Sequence, residues 1–494
     1  MNLQFGKKQY QWGFSTLEML LALALVAMVI SAVTLVVFGN NSLAEDSQTN
    51  SEALYKAQEL LDNARETSRQ NFDSVVPATA NYVNGITYTT ELDIPLSAQS
   101  KCGEQAVSRV TWTGEHGRAL QVELAATLTN VPEMLALGGA CDTAPSSKTW
   151  NPPATWASSN FNPGKPTGLA ALNRIVYVTG DKSPFLYITD TSGSTFGQSS
   201  GLFVNFANGF DDGAKLNDVA VSKSSNGRVY AYVARDTTTN QFEVIDVTDI
   251  HNPFSVVQRS LAGVDPTKSY PQGFRIYYYD NKVYVINRET TGPELHIFNA
   301  ATPGVAASVT EIASKELNRT VEDFEIVKQA IAGSTYYIAY MASDKNTGEL
   351  SVYNVTNPFN ISEITTAEPV FSGNQDGASV FVTNGKLYFG RLSSSGPDIY
   401  VFNIANPMSG TVLPTLAQKD IGTSALGLVV SGQFLFVATE KTNSEFQVFN
   451  SSTLSVISEF NFPNVITNGT AYEKDWVYVA SEGNDALRIL YSPN

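Results

Sequence analysis

One pair of short apolar strands recurs seven times between Ile175 and Tyr491, and that recurrence limits the architectures open to the chain. The first strand of each pair is IVYVTG from Ile175, VYAYVA from Val229, VYVINR from Val283, YYIAYM from Tyr336, LYFGRL from Leu387, LFVATE from Leu435 and VYVASE from Val477. The second strand starts at Leu186, Phe242, Leu295, Leu350, Ile399, Phe446 and Leu487. The matched aromatics Tyr230, Tyr284, Tyr337, Tyr388, Phe436 and Tyr478 are spaced by 54, 53, 51, 48 and 42 residues. A unit of that length cannot bury its strands alone, and a period of roughly 40–55 residues with several short strands is that of β-propeller blades. Seven units predict an all-β, seven-bladed propeller over residues 163–494. The last unit runs out of chain before an outer strand, so residues 155–161 are expected to supply one and close the ring, which leaves no open sheet edge.

Several units end alike, as in VIDVTDIHNP from Val244, FNAATP from Phe298, YNVTNP from Tyr353 and FNIANP from Phe402. Asp and Asn hold turns through their side chains, and Pro cannot remain in a central ladder. These endings resemble LVIVD-type propeller repeats over roughly residues 155–494. That resemblance implies a fold and leaves the ligand open.

Residues 1–38 carry the second signal. A polar stretch with Lys7 and Lys8 leads to Gly13, Phe14 and Glu18, followed by twenty uncharged residues from Met19 to Phe38. As a helix that run measures about 30 Å, enough to cross a bilayer core. The lysines precede it, which predicts a cytoplasmic N-terminus and an external remainder. A carboxylate inside an apolar helix is costly in lipid unless it is paired. A secretory signal would carry its small residues after the apolar run, whereas Gly13 lies before it.

This pattern resembles the type IV prepilin class. The resemblance implies a leader of residues 1–13 and cleavage between Gly13 and Phe14 by a prepilin peptidase. It also implies N-methylation of Phe14, an assembly helix over 14–38, and pairing of Glu18 with the terminal amine of a neighbouring subunit. Leu35 stands where major pilins often carry a helix-kinking Pro, so the stem is expected to run straighter there.

Residues 39–142 read as a pilin-like α+β domain. Leu54, Ala57, Leu60, Leu61 and Ala64 form an apolar stripe that continues the helix and is expected to pack on a small sheet. A strand over Tyr82–Leu92 turns at Asn84–Gly85, and Arg109–Leu128 reads as a hairpin turning between Gly114 and Gly117. A Trp strand, a Gly turn and an alternating strand are similar to minor pilins grouped with the prepilin-modification proteins, over about residues 7–142. Cys102 and Cys141, the two cysteines of the chain, read as one disulfide in an exported protein. The Pro- and Ser-containing stretch 143–162 reads as a semi-rigid linker.

The formal net charge of −16 repels phosphate backbones, so no nucleic-acid binding by the propeller is expected. His116, His251 and His296 lie far apart in sequence, and HExxH, P-loop, GxGxxG and CxxC motifs are absent from the chain. No cofactor and no enzymatic activity are expected. Asp211, Asp212 and Asp376, in two Gly-flanked acidic loops, are the candidate calcium ligands, although neither loop has the alternating ligand positions of a calcium loop. Asp218, Asp265 and Asp323 precede the first strands of their units and are expected to cluster on one face of the ring.

The expected function is that of a minor type IV pilin, at the tip or in low copy, whose propeller binds a surface, a glycan or a protein. Its partners would be the prepilin peptidase, other pilin subunits and the inner membrane before assembly. Its destination would be the pilus or cell surface. A pseudopilin of a type II secretion or DNA-uptake system, binding cargo, is the alternative. A membrane-tethered enzyme acting on polysaccharide is the third reading, and it would need two carboxyls about 5–10 Å apart.

Overall fold

The computed structural model describes residues 16–491 apart from 71, 73, 74, 96–101, 115, 116, 131–149, 151–153, 158–163, 192–205, 212, 266, 268–271, 289–291, 332, 346, 347, 372–374, 394, 463–466, 474, 475 and 483–486. They form two compact units.

The N-terminal unit is built on helix α1 (Thr16–Gln70), 55 residues long. Its first part, Thr16–Phe38, is long and apolar enough to cross a membrane and is exposed throughout. Beyond it the helix lies on a sheet of four strands in sequence order: β1 (Ala78–Asn84), β2 (Ile86–Asp93), β3 (Gly103–Thr113) and β4 (Ala119–Thr129). Strands β1 and β2 turn on Gly85, whose φ of +72° favours a residue without a Cβ.

The buried face of α1 keeps Ala57, Leu61 and Ala64 of the expected stripe and differs at Leu54. Ala53, Ala57 and Leu61 are buried, whereas Leu54 is 47% exposed. Ala53 and Ala57 pack against Tyr88, Val110 and Trp112. Small side chains on the helix make room for the aromatics of the sheet, so packing volume overrides hydrophobicity in setting which face turns inward. Polar contacts fix the same register. Glu52 accepts from Asn84 Nδ2 at 2.9 Å and Tyr88 Oη at 3.2 Å, and Asp46 pairs with Arg118 at 2.9 Å.

The second unit contains seven four-stranded sheets among the described residues. We number them by their innermost strands: sheet 1, Pro166–Leu172; sheet 2, Leu216–Lys223; sheet 3, Gly273–Tyr279; sheet 4, Val321–Ile331; sheet 5, Gly377–Thr383; sheet 6, Ala425–Ser431; sheet 7, Thr467–Glu473. Strands within each sheet pair antiparallel in an up-and-down order. Each innermost strand neighbours those of the preceding and following sheets, and that of sheet 7 neighbours that of sheet 1. This cyclic order of radial sheets is the β-propeller fold.

Closure joins the two ends of the unit. Ala154–Ala157 is the outer strand of sheet 7, with Ala157 opposite Arg488 and Ala154 opposite Tyr491. Both carboxylate oxygens of Glu473 accept backbone N–H groups from Asn173 and Arg174 of sheet 1. The Arg174 guanidinium lies 3.7 Å from the centre of the Trp476 ring.

The outer strand at Ala154–Ala157 falls where residues 155–161 were expected to supply one, and the linker expected over 143–162 needs correction at Trp150, which also belongs to the propeller. Trp150 is fully buried and meets Phe436 edge-on, with ring centres 4.7 Å apart. Pro and Ser content suggested a solvated spacer, but the apolar area of one Trp outweighs that composition.

The repeated endings are turns of the expected kind. The side-chain Oδ1 atoms of Asp246, Asn299, Asn354, Asn403 and Asn450 each accept the backbone N–H two residues on. Aromatic pairs fill the spaces between sheets, as where Tyr232 stacks on Tyr278 at 5.4 Å with planes 9° apart.

Candidate functional site

All seven innermost strands carry a register shift near their start, where one residue is skipped in the pairing. Such bulges re-aim side chains at sheet ends. Six of the skipped residues, Thr167, Asn217, Phe274, Glu322, Ala378 and Leu426, line a cavity of about 480 Å³ at one end of the central channel. Besides Glu322, the charged residues that line the same mouth among the described residues are Lys165, Asp181, Lys215, Arg275, Arg288, Asp376 and Glu440.

One layer deeper, the equivalent positions are Gly168, Asp218, Arg275, Asp323, Ser379, Gly427 and Gly469. Arg275 reaches across the channel. Its Nη1 donates to the Thr167 carbonyl of sheet 1 at 3.2 Å, its Nε donates to the Glu322 carbonyl, and its Nη2 lies 3.9 Å from the Glu322 carboxylate. Asp218 and Asp323 flank it. Asp218 accepts from Ile276 N at 3.0 Å and Val219 N at 2.9 Å, and Asp323 accepts from Val380 N and Phe324 N, each at 2.9 Å. Each carboxylate thus joins its own sheet to the next. Gly168 permits the approach of Asp218: a Cβ there would collide with the Asp218 carboxylate and lie 2.7 Å from its Cα.

Burial pushes the Asp218 carboxyl up to about 6, against the pull of Arg275 and the two backbone donors. Burial likewise pushes Asp323 up to about 7, opposed by Val380 N and Arg275 and reinforced by Glu325 and Asp218. Below this layer a second cavity of about 270 Å³ is lined largely by apolar and aromatic side chains, including Leu169, Tyr277, Phe381, Leu428 and Tyr472.

Asp218 and Asp323 come together as expected, but within strands and half-buried. Asp265 lies apart from them in a turn, where its Oδ1 accepts from Thr267 N at 2.9 Å. Asp211 accepts from Gly213 N at 2.8 Å and from Ser183 Oγ, which makes it a turn-holding residue. Asp376 lines the mouth. Among the described residues no group of three or more His, Cys, Asp or Glu side chains is placed to hold a metal ion. His251 sits in a turn, and His296 is buried between Glu311 and the Pro293 carbonyl, each at 2.9 Å. Gly13, Phe14, His116, Cys141 and Asp212 lie outside the described residues; Cys102 is buried. Glu18 occupies the first turn of α1, where a carboxylate suits the positive end of the helix dipole.

Phe274, Arg275 and Arg288 were missed in the sequence. Arg275 occupies the position filled by Asp218 and Asp323 in its neighbours, and only the bulge register reveals that equivalence.

No family model and no curated protein matches the chain. Solved structures similar to it include the Cps50 (Swd1) β-propeller domain of Myceliophteria thermophila, 11% identical with a TM-score of 0.43, covering 69% of this chain and 100% of that one. The computationally designed Ika8 protein is 11% identical with a TM-score of 0.41, covering 68% and 100%. A catalytically inactive virginiamycin B lyase from Staphylococcus aureus, with quinupristin, is 13% identical with a TM-score of 0.42, covering 69% and 99%.

Proposed function

We propose that this chain is a prepilin of the type IV class, a minor pilin that carries a seven-bladed propeller outside the cell to bind a surface, a glycan or a protein. The observation that carries this reading is the joint pattern of Lys7, Lys8, Gly13, Phe14 and Glu18 leading into an apolar helix that runs on as a stem packed on a small antiparallel sheet. A transmembrane anchor alone requires neither Gly13 before the apolar run nor Glu18 within it. In this reading prepilin peptidase cuts after Gly13, Phe14 is methylated, and Glu18 pairs with the terminal amine of a neighbouring subunit. Cys102 and Cys141 form one disulfide in the exported domain. A propeller of more than 300 residues on every subunit would crowd the side of a fibre, which favours low copy number or a tip position.

The test is a Glu18→Ala strain. The variant is expected to be processed normally and to be lost from sheared fibres, whereas incorporation at the parental level would contradict the assembly role.

A further inference from the structure

Among the described residues, the charges around the 480 Å³ mouth are sorted by sheet. Lys165, Lys215, Arg275 and Arg288 come from sheets 1 to 3, whereas Glu322, Asp376 and Glu440 come from sheets 4 to 6. Asp181, the acid on the basic side, accepts the backbone N–H of Lys165 at 2.9 Å and so serves its own loop. We propose that the mouth binds a peptide segment bearing both a primary ammonium and a carboxylate, with the carboxylate on the side of sheets 1 to 3 and the ammonium on the side of sheets 4 to 6. This rests on the propeller being the binding module of the proposed subunit, and deepens that reading by naming the ligand.

The basic side is organised for an anion. The guanidinium carbons of Arg288 and Arg275 lie 4.2 and 4.6 Å from the centre of the same Phe274 ring. One aromatic ring thereby holds two like charges at the mouth, and a ligand carboxylate beside them offsets their charge with charge-assisted hydrogen bonds. Lys215 lies 3.2 Å from Asp236 and Lys165 lies 3.7 Å from Glu482, both at partly exposed positions that a ligand carboxylate can share.

The acidic side has the opposite strain. Burial and the nearby Asp344 charge both raise the Asp376 carboxyl above its ordinary range, so an incoming cation relieves a repulsion already present. The chemistry of that cation follows from the lining. Phe274 is buried and holds the two arginines, so the described residues of the mouth offer no aromatic cage for a quaternary ammonium, whereas carboxylates suit an ammonium with hydrogens to donate. The basic side chains of sheets 1 to 3 and the acidic side chains of sheets 4 to 6 line opposite parts of the ring, which a peptide carrying both charges on separate side chains matches. Leu392, Leu426 and Ala378 give the peptide apolar contacts beside the acidic groups of sheets 5 and 6.

The experiment uses the full chain in detergent and three dye-labelled tetrapeptides with blocked ends: Lys-Gly-Gly-Asp, its acetyl-lysine analogue and its Asn analogue. Fluorescence anisotropy should give about tenfold weaker binding for each neutralised analogue. Arg288→Gln should weaken the parent and the acetyl-lysine peptide but leave the Asn peptide unchanged, and Asp376→Asn should do the reverse. Lys165→Gln and Glu440→Gln, at exposed positions, repeat the comparison without disturbing the channel. Equal binding of the three peptides, absence of binding, or variants that weaken all three alike would overturn the proposal. Failure of N-terminal processing would sink the pilin reading and leave this measurement untouched, so the two failures are distinguishable.

Discussion

The carboxylate of Asp323 in sheet 4 accepts the backbone N–H of Val380 in sheet 5 at 2.9 Å, and so ties two radial sheets together at the channel. Burial pushes that carboxyl up to about 7 from an ordinary 3.8. The folded protein therefore holds a proton that the unfolded chain releases near pH 4, and stability falls as pH rises from about 4 to about 7 before levelling off. Asp218 at about 6, and Glu294 and Glu368 at about 7, add the same sign, chiefly through burial. Thermal melts between pH 4.5 and 8 should show the decline, and Asp323→Asn should flatten it in part. An unchanged slope in the variant would remove Asp323 from this role.

Glu349 and Arg391 form a bidentate ion pair between sheets 4 and 5, with Nε–Oε2 at 2.6 Å and Nη2–Oε1 at 3.0 Å, both side chains being buried. Removing one partner leaves a buried charge uncompensated. Arg391→Ala should cost about 3–5 kcal/mol in denaturant unfolding. Arg391→Lys keeps the charge and loses the fork, and should fall between wild type and Ala. The combination of Glu349→Gln with Arg391→Met should recover part of the loss.

Trp150 fills the space beside Phe434 and Phe436, and its carbonyl accepts from Ser458 Oγ at 2.9 Å. Trp150→Ala should destabilise the propeller by about 3–5 kcal/mol. A variant that melts within about 0.5 kcal/mol of wild type, the range of ordinary surface substitutions, would return this segment to the status of a spacer.

How much of this was legible in the sequence depends on the range of the interaction. The strand pairs and their Asx turns were readable because each Asp or Asn bonds two residues along the chain, so residue type and spacing carry the whole signal. The missing outer strand was readable because an unpaired edge has to be covered. Trp150 was hidden because its pocket is assembled from residues some 300 positions later. Arg275 was hidden because a bulge shifts register without leaving a composition mark. On the stem, apolar count favoured Leu54, while the observed face chose Ala53 for its size.

The stem face gives a direct check. Ala57 is fully buried against the sheet and Leu54 is 47% exposed. Ala57→Leu should overpack the helix against Tyr88 and Trp112 at a cost of about 1–3 kcal/mol, whereas Leu54→Ala should change stability by no more than about 0.5 kcal/mol. The reverse order would put Leu54, and not Ala57, against the sheet.

The central claim concerns how the chain begins its working life. Intact-mass and N-terminal peptide analysis of protein purified from its native membrane and fibres tests it most directly. The account predicts a first residue of N-methylated Phe14, with Met1 to Gly13 removed. A native polypeptide that still starts at Met1, or at a position after the apolar helix, would contradict it.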